Sequence, residues 1–207
     1  QREPISAPPP RENYAPDRFT RFSWTMTERE VKLRYESPAI ARHDVMKAGA
    51  IPLHPRRLQN DYLLDREATP LRIHKCALRV RFDGNDSILT FKGPPQPGRT
   101  KVREELETSV ADGELLLTLF QRLGYHVWFR YQKYREEFRF GNLVITIDES
   151  PIGTFVELEG AESEILDMAD ALGRPASTFV LDSYFALFLE HRKATGSTAS
   201  HMLFETS

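Results

Sequence analysis

The sequence predicts an α+β fold built on antiparallel strands with helices packed against their apolar side. Three observations carry this reading. Many segments alternate apolar and charged residues with a period of two, Gly- and Pro-bearing turns separate them at short intervals, and stretches with helical spacing lie between and after them. The stretch Glu28–Tyr35 sets the pattern, with Glu28, Glu30, Lys32 and Arg34 on one face and Val31, Leu33 and Tyr35 on the other. Two carboxylates and two cations in one row are costly to bury unless they hold something charged. Later strands repeat the device with matched acids and bases. Periodicity alone leaves two architectures open: a sheet solvated on its charged face, and a closed barrel with a charged lumen.

The elements follow in order. After the first strand, Ser37-Pro38 starts a helix, with Ser at the cap and Pro in the first turn. Ile40, Val45 and Met46 are expected inward, and Gly49 suits the C-terminal end. Residues 51–65 read as extended, with His54 and Pro55 as edge or loop features and Asp61-Tyr62-Leu63-Leu64-Asp65 at the end. Asp83-Gly84 joins two strands, Lys75–Phe82 and Ser87–Lys92. Ala77, Arg79 and Arg81 share a face of the first, and Lys92 lies with Ile88 and Thr90 on the second. Gly93–Gly98 is a turn region, and Lys101–Val110 sets Arg103, Glu105 and Glu107 against Val102, Leu106 and Val110. Residues 112–123 form a helix whose stripe of Leu115, Leu116, Leu119, Phe120 and Leu123 reads as core packing, with Gly124 as its stop. A long strand, Val127–Phe140, keeps Phe129, Tyr131, Lys133 and Arg135 in register. Leu143–Asp148 and Thr154–Glu159 follow, the latter with Phe155, Glu157 and Glu159 on one face. Two helices, Glu162–Leu172 and Ser177 to about Arg192, close the domain.

Composition sets the outer limits. The chain has 207 residues, 40% hydrophobic and 28% charged, as expected of one soluble globular domain. Residues 1–22, with Pro8-Pro9-Pro10, read as a flexible leader, 23–192 as the domain and 193–207 as a flexible tail. A net charge of -2, with basic residues interleaved among acids, argues against nucleic-acid binding. Cys76 stands alone, so neither an intrachain disulfide nor a cysteine metal cluster is available, and the histidines do not fall at zinc-ligand spacing. No apolar run approaches a membrane span, so a cytoplasmic location and no membrane partner are expected. No exposed stripe demands an oligomer, which leaves monomer or homodimer.

Collected together, the charged faces hold Glu28, Glu30, Glu105, Glu107, Asp148, Glu157 and Glu159 beside Lys32, Arg34, Arg79, Arg81, Lys92, Arg103, Lys133 and Arg135. Carboxylate oxygens suit Mg²⁺ or Mn²⁺, and Arg and Lys suit phosphate oxygens. Acids and bases converging on one cavity therefore describe a site for a metal-chelated polyphosphate.

Glu28-x-Glu30-x-Lys32 resembles the ExExK signature of the CYTH superfamily, the triphosphate tunnel metalloenzymes. The likeness continues through Arg79-x-Arg81, Leu89-Thr90-Phe91-Lys92-Gly93, Arg103-x-Glu105-x-Glu107, Lys133-x-Arg135, Asp148 and Phe155-Val156-Glu157-Leu158-Glu159, covering about residues 27–190. The resemblance implies an eight-stranded antiparallel β-barrel with a charged lumen and helices outside. It implies that Glu28, Glu30 and Glu159 hold one divalent metal, Mg²⁺ or Mn²⁺, and that Glu107, Asp148 and Glu157 hold or orient a second. It implies that Lys32, Arg79, Arg81, Lys92, Arg103, Lys133 and Arg135 grip the triphosphate, with Lys32, Arg81 and Lys92 as the catalytic cations. The implied activity is that of a class IV adenylate cyclase turning ATP into cyclic AMP and pyrophosphate. The alternatives are an inorganic tripolyphosphatase or thiamine triphosphatase acting on tripolyphosphate or thiamine triphosphate, and a non-catalytic triphosphate sensor. One departure stands out: Asp182 precedes Ser183-Tyr184, where many members carry a basic residue, and Tyr184 reads as core.

Overall fold

The alternating segments form strands β1 (Glu28–Tyr35), β2 (Ile51–Asp65), β3 (Ala77–Asp83), β4 (Asp86–Lys92), β5 (Lys101–Arg103), β6 (Glu105–Val110), β7 (His126–Phe140), β8 (Leu143–Ser150) and β9 (Gly153–Glu159). The helices are α1 (Pro38–Lys47), α2 (Gly113–Arg122), α3 (Glu162–Ala171) and α4 (Tyr184–Thr195). This is a computed structural model describing residues 27–205, so the leader expected over residues 1–22 lies outside the described residues.

All strand pairs are antiparallel, in the order β5-β1-β9-β8-β7-β2-β3-β4-β6. The two ends of this order are consecutive in the chain, separated only by Glu104, so the sheet closes into a barrel. Residues 101–110, expected as one strand, bend at Glu104 because the first part must pair with β1 and the second with β4. Counted as one bent strand, they make up the expected eight. The Gly93 N–H donates to the Glu104 carbonyl at 2.9 Å, and a Cβ on Gly93 would sit 3.3 Å from Glu104 Cβ. Glycine at the end of β4 thus lets the bend approach closely.

The outward side chains Val31, Leu33, Tyr35, Leu143, Ile145, Ile147, Val156 and Leu158 form a buried core with Ala41 and Val45 of α1 and Ile165, Met168 and Ala169 of α3. Helix α1 starts where expected, with Ser37 Oγ accepting from the Ile40 N–H. Its inward face differs from the expected one: Ala41 and Val45, four residues apart, point to the sheet, while Ile40 and Met46 flank that line and are exposed. Helix α2 also departs from expectation. Leu115, Leu119 and Leu123 are exposed, and only Leu116 and Phe120 of the stripe are half-buried. The helix is seated through its first residue, where a Cβ on Gly113 would meet Ser87 Oγ at 2.6 Å and the Phe82 ring at 2.7 Å. Farther along, a groove lined by Leu64, Leu117, Tyr125 and Val127 runs beside it.

A second core gathers Phe129, Tyr131 and Phe155 with Tyr184, Leu187 and Phe188 of α4 and with Met202. Phe129 and Tyr131 share the inward face of β7 with Lys133 and Arg135, and Phe155 that of β9 with Glu157. Helix α4 therefore covers one end of the barrel as a plug, and with α1, α2 and α3 it lies outside the ring of strands, as expected. Each large apolar side chain buried there contributes about 1.5–3 kcal/mol. The last helix begins at Tyr184 and not at Ser177, because Val180 is extended and exchanges backbone bonds with Lys32 at 2.9 and 3.1 Å. The tail, expected to be frayed, is packed over 201–204. The first half of β7 pairs with β2 only, since β8 pairing begins at Tyr134, and the tail takes the open edge. Gln132 N–H donates to the Met202 carbonyl at 2.8 Å, Met202 N–H donates to the Arg130 carbonyl at 3.0 Å, and the Met202 side chain is buried. No described helix is long and apolar enough to cross a membrane.

Candidate active site

Strand alternation places most of the remaining inward side chains in the lumen, and the majority of these are charged. Residues directly opposite across the ladders include Glu28 with Arg103, Glu30 with both Lys101 and Glu159, Lys32 with Glu157, Arg135 with Asp148, Asp61 with Arg81, and Lys92 with Glu105. Such opposed pairs bring their side chains together without any loop to position them.

The predicted site residues converge, with two exceptions at the rims. Lys32 Nζ lies 2.9 Å from Glu30 Oε1 and 3.3 Å from Glu157 Oε1. Lys92 Nζ lies 2.6 Å from Glu28 Oε1 and 2.9 Å from Glu105 Oε2, and Arg103 Nε donates to Glu28 Oε2 at 2.8 Å. Arg79 donates to Thr90 Oγ1 at 3.0 Å, and that hydroxyl donates to Glu107 Oε2 at 2.9 Å. Arg135 bonds Asp148 through two nitrogens and also touches Glu157. Glu107 and Glu159 stand at the rim and are exposed. Arg34, which continues the charged face of β1, leaves the lumen altogether: it is exposed, pairs with Glu190 at 3.3 Å and packs over Phe155.

Asp148 is heavily engaged, with four hydrogen bonds on its carboxylate. Its Oδ1 accepts from Arg135 Nε at 2.7 Å, and its Oδ2 accepts from Lys133 at 2.6 Å, Arg135 at 2.6 Å and the Tyr184 hydroxyl at 2.7 Å. In this arrangement it orients two cations. Tyr184, expected as core alone, does both jobs: its ring packs against Tyr131 and Phe155 while its hydroxyl donates to the fully buried Asp148. That ties the plug to the site.

Two lumen residues and the role of a third were not foreseen. Asp61, fully buried, accepts from Arg81 Nε at 2.8 Å; Lys101 donates to Glu30 Oε1 at 2.9 Å; Thr90 relays between Arg79 and Glu107. Lys101 shares the alternation of Arg103, Glu105 and Glu107, so its signal was present in the sequence. Asp61 becomes a lumen acid only once β2 is registered against Arg81.

Charge compensation sets the protonation of the lining. Burial works against charged groups, yet Lys32, Lys101 and Lys92 hold Glu30 well below the usual carboxylate range, and Lys32, Lys133 and Arg135 do the same for Glu157. Burial likewise opposes the Lys32 ammonium, but Glu30 and Glu157 hold it above the usual lysine range. Burial and the neighbouring Arg135 guanidinium push Lys133 down to about 8. Lys101 also falls to about 8, through burial and despite Glu30, because Lys32 and Arg103 crowd the same carboxylate. Glu159 rises to about 8, through the packed surroundings of its carboxyl and the nearby Glu28 and Glu105 acids. The residue as a whole is exposed at the rim, so the neighbouring carboxylates are the cause that holds there.

The donor set fits a hard divalent cation: Glu30 faces Glu159 across the β1–β9 ladder, and Glu28 lies two residues away on the same face. Among the described residues no three such side chains form a preassembled metal centre, since Glu28 and Glu30 are each drawn to lysine or arginine. Binding a metal there requires those cations to exchange partners.

A closed antiparallel barrel, plugged at one end and lined by interleaved acids and bases, defines a tunnel-type β-barrel with a charged lumen. The chain belongs to the CYTH family, whose domain model matches residues 26–177. It is 28% identical over 141 residues to a Methanocaldococcus jannaschii protein named "Putative adenylate cyclase", covering 68% of this chain and 80% of that one. Its fold is similar to that of a Vibrio parahaemolyticus protein bearing the same description (TM-score 0.70, 17% identity, 79% of this chain and 98% of that one). It is also similar to the PH1819 protein of Pyrococcus horikoshii (TM-score 0.66, 25% identity, 80% and 99%). A third similar structure is a Hippeastrum protein called an adenylyl cyclase of the same qualified kind and described with a dominant triphosphatase activity (TM-score 0.59, 19% identity, 79% and 95%).

Proposed function

We propose that this chain is a divalent-metal-dependent enzyme acting on a triphosphate, and that its reaction is the class IV adenylate cyclase reaction, ATP to cyclic AMP and pyrophosphate. One observation carries the reading: Lys32, Arg79, Arg81, Lys92, Arg103, Lys133 and Arg135 converge on one lumen, each against a carboxylate or hydroxyl that fixes its direction. Seven cations aimed inward from the barrel wall suit a polyanion that threads among them.

In this reading Lys133 and Arg135, braced by Asp148, and Arg79 and Arg81, braced by Thr90 and Asp61, bind and align the phosphates. Lys32, Arg81 and Lys92 meet the charge that gathers on the leaving phosphate oxygens, a preorganised stabilisation needing no movement of solvent. Glu28, Glu30 and Glu159 would hold Mg²⁺ or Mn²⁺, and Glu107, Asp148 and Glu157 would hold or orient a second ion. When bound, the metal neutralises phosphate charge and favours in-line displacement. The ribose 3′-hydroxyl would attack the α-phosphorus as the bond to pyrophosphate breaks.

A second reading, hydrolysis of a terminal phosphate as in a tripolyphosphatase or thiamine triphosphatase, uses the same lining and is favoured by the triphosphatase activity described for the Hippeastrum protein. Incubation with ATP, tripolyphosphate or thiamine triphosphate, each with Mg²⁺ or Mn²⁺, separates the two by product. Cyclic AMP with pyrophosphate is the expected result. Orthophosphate from tripolyphosphate with ATP untouched makes the protein a hydrolase, and metal-dependent binding without turnover makes it a sensor. Glu28→Gln and Glu30→Gln are each expected to abolish the metal-dependent reaction, and an unimpaired variant would sink the site.

A further inference from the structure

Lys101 is the first residue of β5 and lies opposite Glu30 across the β1–β5 ladder. Its ammonium donates to Glu30 Oε1 at 2.9 Å, and the Lys32 ammonium donates to that same oxygen, also at 2.9 Å. The Arg103 guanidinium stands 3.9 Å from it. Lys32 and Lys101 are both buried, at 3% and 7% exposure, so water does little to relieve the crowding. The two differ in their other partners. Lys32 also pairs with Glu157, and Arg103 with Glu28, whereas among the described residues Glu30 is the one acid that pairs with Lys101. One carboxylate cannot neutralise three cations. Lys101 is the least compensated of them, consistent with its lowered proton affinity.

We propose that Lys101 is a further triphosphate-binding residue of the tunnel, held in place by Glu30 and free to turn to phosphate oxygens when Glu30 is engaged by another cation. This rests on the triphosphate reading above. Lysine suits the role: its ammonium is a compact charge on a flexible four-carbon stem, so it changes partners without moving the strand. Arg103, whose Nε donates to Glu28 at 2.8 Å, is fixed by its fork.

The test measures tripolyphosphate binding calorimetrically in the presence of EDTA, for the unaltered chain, Lys101→Met, Glu30→Gln and the double variant. Removing the Glu30 charge releases Lys101. The expected result is that Lys101→Met costs less than about twofold in the unaltered background and about tenfold in Glu30→Gln, the worth of one charge-assisted hydrogen bond. If Lys101 serves only to neutralise Glu30, the order reverses: the substitution weakens binding in the unaltered chain and is silent in Glu30→Gln. Equal costs in both backgrounds overturn the proposal as well. Absence of binding by all four proteins in EDTA, with binding by the unaltered chain in Mg²⁺, overturns the role of Lys101 and keeps the triphosphate reading, whereas absence in both ends that reading itself. Thermal unfolding checks that each variant folds, and Lys101→Gln repeats the cycle should Met not be tolerated.

Discussion

At the scale of the residue, the lumen is a set of charges that make sense only against one another. Asp61 shows this best, because it is fully buried and its work is confined to Arg79 and Arg81. Burial opposes its charge, but Arg81, Arg79 and Lys133 outweigh that and hold its carboxyl below the ordinary 3.8. A depressed folded value means that this stabilisation is complete above the unfolded-chain value and is lost as pH falls through the folded one. Asp61→Asn leaves two buried guanidinium groups short of a counter-charge and is expected to cost about 3 kcal/mol at neutral pH, the usual penalty for breaking a buried pair. The difference between the two proteins should begin to narrow below about pH 4, where the unfolded parent takes up a proton that the folded one still refuses. Urea unfolding at pH 7 and pH 3 measures both, and a difference that does not narrow with acid would remove Asp61 from the ion-pair network.

At the scale of the element, what could be read from the chain was alternation, and what could not was pairing. β1 was legible because Glu28, Glu30 and Lys32 alternate with Val31, Leu33 and Tyr35, although Arg29 breaks the apolar face, and the signal for Lys101 was of the same kind. The break at Glu104 was not, since it arises from β1 and β4 claiming different parts of one segment. Helical spacing likewise reports that α2 is amphipathic without saying whether anything covers its leucines. The packed tail escaped notice because its site is an edge left by unequal strand lengths, 15 residues in β7 against 8 in β8. Two consequences can be measured. A Cβ at Gly113 has nowhere to go between Ser87 and Phe82, so Gly113→Ala should destabilise by about 1–3 kcal/mol despite its better helix propensity. Met202→Ala should cost about 2–5 kcal/mol, as for other buried methionines, and should raise amide exchange at Gln132, whose N–H the tail binds. A tail that merely rests on the surface would show neither effect.

At the scale of the whole molecule, the barrel has two apolar layers, one beneath α1 and α3 and one beneath α4, with a charged interior between them. An interior of this kind is a poor source of stability, because desolvating each ion offsets much of the attraction to its partner. The apolar layers keep the barrel closed, while the lumen is held ready for a ligand that brings its own charges. Ligand binding should therefore appear as stability. A folded state that binds tripolyphosphate at a concentration of one hundred times Kd gains about 2.7 kcal/mol. For a chain of this size that corresponds to a rise in Tm of about 5–10 °C. The rise should shrink as salt is added, since salt screens the attraction between the polyanion and the tunnel's cations. Arg135→Met should abolish most of it, because Arg135 joins Asp148 to Glu157 across β7, β8 and β9. Arg34→Met should leave it intact, because that side chain lies outside the tunnel beside Glu190. Scanning calorimetry of the three proteins with and without tripolyphosphate decides the matter. A shift that survives in Arg135→Met would place the phosphates somewhere other than the lumen.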